Sequence, residues 1–175
     1  MGQILTLWTI RLALGCYVLA LVLLRLDGGR QRWANHARWA WTAACGLLVL
    51  HVLCAFQFYH HWSAAEAYTD TARKTAQTLG PGWSWGGGGG GGIYFNYLLI
   101  LLWCCDVAWW WSVPTVPPSR PRLVEWVWQG FLAFMVFNAT IVFADGVIRW
   151  ISVAVCLGLG GLGALTRNVQ ASGQR

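Results

Sequence analysis

Apolar segments separated by polar loops make up most of this chain. An α-helix needs about 20 predominantly apolar residues to cross the hydrocarbon core of a bilayer. The pattern therefore predicts an all-α integral membrane protein, a bundle of about five transmembrane helices in a single membrane domain over residues 1–175. The predicted spans cover about 4–24, 39–59, 93–113, 123–143 and 147–165.

The last two predicted spans come from one apolar stretch of 43 residues, Leu123 to Leu165. That stretch is too long for a single helix across about 30 Å of hydrocarbon. We divide it at Phe143–Gly146, where Asp145 interrupts the apolar residues. The alternative is a four-span arrangement, in which the stretch makes one crossing plus a re-entrant segment and the C-terminus lies outside.

A polar segment after the second span is predicted to continue the same helix beyond the membrane. Between Tyr59 and Leu79 the chain contains neither glycine nor proline, so we expect one uninterrupted helix with an amphipathic extension over residues 60–80. At about 1.5 Å per residue, the extension reaches roughly 30 Å beyond the bilayer. A flexible glycine-rich linker over residues 81–92 then returns the chain to the third span. The extension must therefore lean or fold back over the outer end of the bundle.

Composition and charge agree with this architecture and give it an orientation. Charged residues make up 10% of the chain, against about 25% in a soluble domain. Cytoplasmic loops of membrane proteins carry an excess of Lys and Arg. With the N-terminus outside and the C-terminus cytoplasmic, the basic residues on the cytoplasmic side are Arg25, Arg30, Arg32, Arg38, Arg120, Arg122, Arg167 and Arg175. Those outside are Arg73, Lys74 and Arg149.

Polar residues of all five predicted helices fall at similar depths near the outer surface. This predicted cluster comprises Arg11, His51, His60, His61, Glu66, Asn96, Asn138, Asp145 and Arg149. An ionised side chain at the centre of a spanning helix costs at least about 2.5–3.5 kcal/mol, so such groups have partners. The groups either neutralise one another or form an outward-facing polar site. We expect the helix 2 extension to cap the cluster, with Glu66 or Asp70 within reach of Arg11 or Arg149.

Asp106 is a second candidate site, deeper in the third span. It lies roughly 8 Å deeper than His51 by helix rise, so a direct pair between the two is not expected. A hydrogen bond to a neighbouring helix or to an indole N–H is the predicted partner instead.

The sequence predicts no metal site and no cofactor, haem included. On one continuous helix, at about 100° per residue, His51 and His60 point to opposite sides and cannot hold one iron. The residues around His61 and Glu66 lack a HExxH spacing. The cysteines all lie in apolar segments and are expected to be buried free thiols; they are Cys16, Cys45, Cys54, Cys104, Cys105 and Cys156.

The predicted partners are the lipid bilayer and other membrane helices. Small residues recur every four positions along the last span, at Ser152, Cys156, Gly160 and Ala164. Such a stripe lets helices approach closely in lipid, either within the protomer or in a homo-oligomer or a complex with a membrane partner. No basic patch with interleaved aromatic residues lies on a soluble segment, so nucleic-acid binding is not expected.

These observations predict a small polytopic membrane protein that acts as an accessory, assembly or interaction component. The alternative is a membrane enzyme, or a ligand- or metal-binding subunit, with an outer-leaflet polar site around His51, His61 and Arg11. The residues do not indicate a reaction, because no complete catalytic set with recognised spacing is present.

Overall fold

A computed structural model describes residues 1–80, 90–115 and 117–142 of the chain. Within these ranges the protein is all-α, as predicted, with helices α1 (Gly2–Asp27), α2 (Ala34–Phe58), α3 (Ala64–Leu79), α4 (Gly92–Ser112) and α5 (Arg122–Val142). The predicted span 147–165, Asp145, Arg149, most of the glycine-rich linker and the small-residue stripe of the last span lie outside the described residues.

Three helices in this part of the chain, α1, α2 and α4, are long and apolar enough to cross a membrane. They overlap the predicted spans 4–24, 39–59 and 93–113. Helix α5 overlaps the predicted span 123–143 but is not one of the three. Its first two turns carry the polar residues Arg122, Glu125 and Gln129.

The α1–α2 hairpin is the most extensive helix pair in the described structure. Alanine makes this close packing possible, because Ala20 and Ala44 are fully buried and small residues let helix backbones approach. The connecting loop is fastened by Asp27, whose carboxylate accepts hydrogen bonds from the backbone N–H groups of Gln31 (2.8 Å) and Trp33 (2.7 Å).

The prediction of one uninterrupted helix from α2 into the extension is wrong. Helix α2 ends at Phe58 and α3 begins at Ala64. Between them His61 and Trp62 adopt φ angles of 44° and 61°, in the left-handed region that breaks a right-handed helix. Ser63 then starts α3 as its N-cap, since its hydroxyl accepts a hydrogen bond from the Glu66 N–H at 3.2 Å.

The break lets α3 fold back onto the bundle, as the return of the chain to the third span requires. Helix α3 contacts α4 and α5. Ala67 is buried on its inner face, and the Tyr68 ring lies 6.4 Å from that of Tyr94 at the start of α4. A short amphipathic helix therefore covers one end of the bundle, in place of a long projecting rod.

Aromatic side chains fill the centre of the bundle. The Trp41 ring of α2 stacks on Trp110 at 5.1 Å between centroids and lies 5.0 Å from Trp103, both on α4. Tyr17 of α1 packs against the same group. Helix α5 adds Leu132, which is 1% exposed. This aromatic core holds α1, α2 and α4 together beside the cavity that lies beneath α3.

Candidate functional site

Beneath α3, the helices of the bundle line a partly open cavity of about 530 Å³. This volume is within the range of about 300–1,000 Å³ that small-molecule sites have. Five residues of the predicted polar cluster line it: Arg11 of α1, His51 of α2, His60 of the connector after α2, Asn96 of α4 and Asn138 of α5. The structure therefore brings together residues that are up to 127 positions apart in the chain.

Two predicted residues do not line the cavity, and the broken helix explains both. His61 lies in the connector with a left-handed φ and is exposed. Glu66 is exposed in the first turn of α3. The same break turns His60 to the cavity side, so His51 and His60 line one space. The prediction that these two histidines point to opposite sides is therefore wrong.

Other polar residues of the cavity wall were absent from the predicted cluster. They come mostly from the covering helix and from α4: Thr6, Tyr59, Asp70, Thr71, Lys74 and Tyr97. Asp70, Thr71 and Lys74 follow one another at helical spacing along α3, so one face of α3 is turned to the cavity. The sequence alone did not identify this face, because the prediction continued α2 through residues 60–80 and so did not begin a separate helix at Ala64.

His51 has a defined tautomer in this site. Its Nδ1 lies 2.9 Å from the backbone carbonyl oxygen of Thr6. A carbonyl oxygen can only accept, so Nδ1 carries the proton and donates, and Nε2 is left as an acceptor. The bond also ties α2 to the first turns of α1.

His60 of the connector lies near the Asp70–Arg73 ion pair of α3, but its buried Nδ1 has no hydrogen-bond partner among the described residues. His60 Nδ1 lies 3.6 Å from Asp70 Oδ2, and Arg73 Nη2 donates to Asp70 Oδ1 at 2.7 Å. Burial lowers the pKa of His60 below its usual value, although the Asp70 carboxylate acts in the opposite direction. Arg73 supplies the cationic partner of Asp70.

The expected pairing of Arg11 with Glu66 or Asp70 of α3 is not formed in the described part of the chain, and Arg149 lies outside it. Asp70 and Arg11 nevertheless line the same cavity. The Arg11 guanidinium lies 5.5 Å from the centre of the Trp8 ring instead, a cation–π distance. Arg11 and Lys74 are both exposed as well as lining the cavity, so they lie at its rim.

The remaining wall of the cavity is apolar, with one exception. Leu14, Leu48, Val52, Leu99 and Leu132 are among its lining residues. Trp103 also lines it and is 6% exposed, and its indole Nε1 is buried with no hydrogen-bond acceptor among the described residues. A buried N–H without an acceptor is uncommon and calls for an explanation.

Asp106, the second candidate, belongs to a separate network among α2, α4 and the loop before α5. Trp41 Nε1 donates to its Oδ2 at 2.9 Å, which confirms the predicted indole hydrogen bond. Arg120 Nη2 pairs with the other carboxylate oxygen. The Arg120 side chain is only 5% exposed, and it also lies over the Trp109 ring. This pair fixes the proline-rich loop, and sequence analysis missed it.

The cysteines, histidines and carboxylates of the described ranges form no candidate metal centre. No group of three or more His, Cys, Asp or Glu residues within the described ranges could hold a metal ion. Cys45 and Cys54 are buried, as predicted, whereas Cys104 and Cys105 are exposed. The expectation that all of these thiols are buried is therefore wrong for Cys104 and Cys105.

Comparisons with known proteins add no further assignment. No protein-family model, no curated protein and no solved structure matches the chain.

Proposed function

We propose that this chain is an integral membrane protein of about five spans, and that it serves as a binding component whose α3-covered cavity holds a small ligand. One observation supports this function above the others: polar side chains of five helical segments meet around one cavity with otherwise apolar walls. Concave, mostly apolar cavities with a few convergent polar groups are typical of ligand sites.

The proposed orientation has the N-terminus outside and the C-terminus in the cytoplasm. The two loops rich in arginine lie at one end of the bundle, because Arg38 Nη2 at the start of α2 donates to the Val113 carbonyl at the end of α4 (2.8 Å). Helix α3 covers the opposite end. Since cytoplasmic loops carry the excess of basic residues, the cavity would open towards the outer leaflet.

Labelling of single cysteines in a variant without native cysteines tests this orientation. We expect Asn35→Cys and Ser119→Cys, which are exposed at the arginine-rich end, to react with a membrane-impermeant maleimide only after the membrane is opened. Gln77→Cys on α3 should react in intact cells or spheroplasts. Reaction of Ser119→Cys and Gln77→Cys from the same side would contradict the arrangement.

Filling the cavity tests the binding function. Ala55 and Ala139 line the cavity, and Trp in place of either would occupy it. We expect wild-type protein, released from detergent micelles in a native mass spectrometer, to retain a small bound molecule that Ala55→Trp and Ala139→Trp lose. Leu53→Trp and Phe137→Trp are matched controls on the same helices, because both positions are exposed, and they should retain it.

The same experiment separates the proposal from a purely structural accessory role. An accessory or assembly component that uses only its outer surface would be unaffected by a filled cavity. The binding function is overturned if all four variants elute and assemble as the wild type does and neither they nor the wild type carry a bound molecule. Two independent cavity positions guard against the failure of one variant to fold.

A further inference from the structure

We infer that the cavity takes a neutral single-chain amphiphile with a polyhydroxylated head group, which is held by Asn96, Asn138 and His51. This inference rests on the proposed binding function and assigns the chemical class of the ligand. Three features of the cavity support it: neutral polar groups without partners near α3, charged side chains that already have interactions, and an apolar lining farther from α3.

Two carboxamides line the cavity and make no hydrogen bond to the described residues, Asn96 of α4 and Asn138 of α5. Both side chains are half-buried. None of their amide atoms is fully buried without a partner, so these atoms remain accessible. His51 adds a third group, because its Nδ1 donates to the Thr6 carbonyl and its Nε2 is left as an acceptor. Polar groups in apolar surroundings are costly unless they are hydrogen-bonded, so a ligand that pairs with these three is favoured.

The combination of donors and acceptors selects hydroxyl groups. The amide nitrogens of Asn96 and Asn138 donate, whereas the two amide oxygens and His51 Nε2 accept. A ketone, an ester or an ether offers acceptors alone and would leave these three acceptors unpaired. A hydroxyl both donates and accepts, and three acceptors on three different helices require more than one hydroxyl. The head group is therefore a polyol, such as glycerol or a sugar.

The charged side chains of the lining do not favour an ionic ligand. Asp70 pairs with Arg73 at 2.7 Å, and Lys74 has an interaction partner as well. The Arg11 guanidinium lies over the Trp8 ring. Arg11 and Lys74 are also exposed, so water solvates them. An ionised head group would lose its hydration in the cavity without gaining an unpaired opposite charge, whereas a neutral head group avoids that cost.

The polar and the apolar lining lie at different distances from α3. Asn96 is in the first turns of α4, and Trp103 lines the cavity seven residues later, about 10 Å farther from α3 by helix rise. A short loop makes α5 antiparallel to α4, so Leu132 lies farther from α3 than Asn138 does. A cavity of about 530 Å³ with one polar and one apolar end fits one head group and one hydrocarbon chain.

Competition in a native mass spectrometer tests the inference, because the mass of the adduct identifies the occupant. Full-length protein in micelles receives equal amounts of monoolein, an oleyl glucoside, methyl oleate and oleate, whose hydrocarbon chains match. We expect adducts of monoolein or of the glucoside to exceed those of methyl oleate about tenfold or more, since the ester leaves several polar groups unpaired. Oleate should be retained no better than methyl oleate. The more abundant polyol adduct shows whether the head group is glycerol or a sugar.

Removal of the two amides tests the contacts themselves. Asn96→Leu combined with Asn138→Leu replaces each amide by an apolar group of similar size, and should lower the polyol adducts about tenfold. The methyl oleate adduct should stay unchanged, which also shows that the variant is folded. Each single variant should show a smaller loss of the same kind. Asn35→Leu is the matched control, because Asn35 is exposed and does not line the cavity, and it should retain the polyols as the wild type does.

The cavity-filling variants separate failure of this inference from failure of the proposed function. The inference is overturned, and the binding function stands, if Ala55→Trp loses every adduct but methyl oleate or oleate displaces the polyols from the wild type. The same holds if Ala55→Trp loses every adduct but the double asparagine variant retains the polyols as the wild type does. If Ala55→Trp and Ala139→Trp both retain the polyols normally, the adducts lie outside the cavity and both proposals are overturned.

Discussion

Replacing Asp106 with alanine is expected to destabilise the protein by about 3–5 kcal/mol, the loss measured when one partner of a buried ion pair is removed. The Asp106 and Arg120 side chains are 6% and 5% exposed, so the variant leaves a buried guanidinium whose remaining carboxylate partner, Glu125, is 3.8 Å away and 43% exposed. Trp41 Nε1 also loses its acceptor. The free energy of unfolding, measured by titration with SDS in mixed micelles and followed by circular dichroism, gives the loss directly.

Two further variants show whether the buried charge is the cause. Asp106→Leu combined with Arg120→Met removes both charges, and replacing a buried pair by apolar residues is often neutral, so most of the lost stability should return. Asp70→Ala is the control for a half-buried carboxylate whose partner is exposed, because its pair with Arg73, whose side chain is 65% exposed, is worth about 1 kcal/mol or less. A double variant as unstable as Asp106→Ala alone would show that the packing of this region, and not the charge, dominates.

The helices of the described structure could be predicted from the sequence because their signal is local. An apolar segment of about 20 residues has few alternatives to a helix, and α1, α2 and α4 follow that pattern. The partner of Asp106 was predictable for a related reason. A carboxylate inside an apolar helix needs a donor, and tryptophan, with 14 residues, is the commonest residue with a side-chain donor in this chain. Arg120 was not predictable, since only the folded loop brings it to Asp106.

The break between α2 and α3 could not be derived from helix breakers, because none is present. His61 and Trp62 take the left-handed conformation that glycine usually supplies. A local signal did exist in Ser63 and Glu66, which have the S-x-x-E spacing of a capping box at the start of a helix. A helix start at Ser63 places His60 in the turn before α3. With that start, the sequence predicts that His51 and His60 can line the same cavity.

Trp41→Ala is expected to be the second most damaging change, with a loss of about 3 kcal/mol, at the lower end of the range for buried aromatic residues. Trp41 is 2% exposed and contacts the rings of Trp110, Trp103 and Tyr17, so its removal leaves a void at the centre of the bundle. The lower end applies in the proposed bilayer setting, where the packing contacts are lost whereas the transfer of apolar surface from water contributes little.

Matched variants divide this loss into packing and hydrogen bonding. Trp41→Phe keeps an aromatic ring but removes the N–H that bonds Asp106, so a smaller loss of about 1–3 kcal/mol is expected. Trp39→Ala removes the same side chain two positions earlier on α2, where it is 63% exposed. It leaves no void and should cost less than about 1 kcal/mol. The measurement is again SDS titration followed by circular dichroism, because the variants change the tryptophan fluorescence itself. A loss for Trp39→Ala equal to that for Trp41→Ala would mean that the aromatic centre around Trp41 does not hold the bundle together.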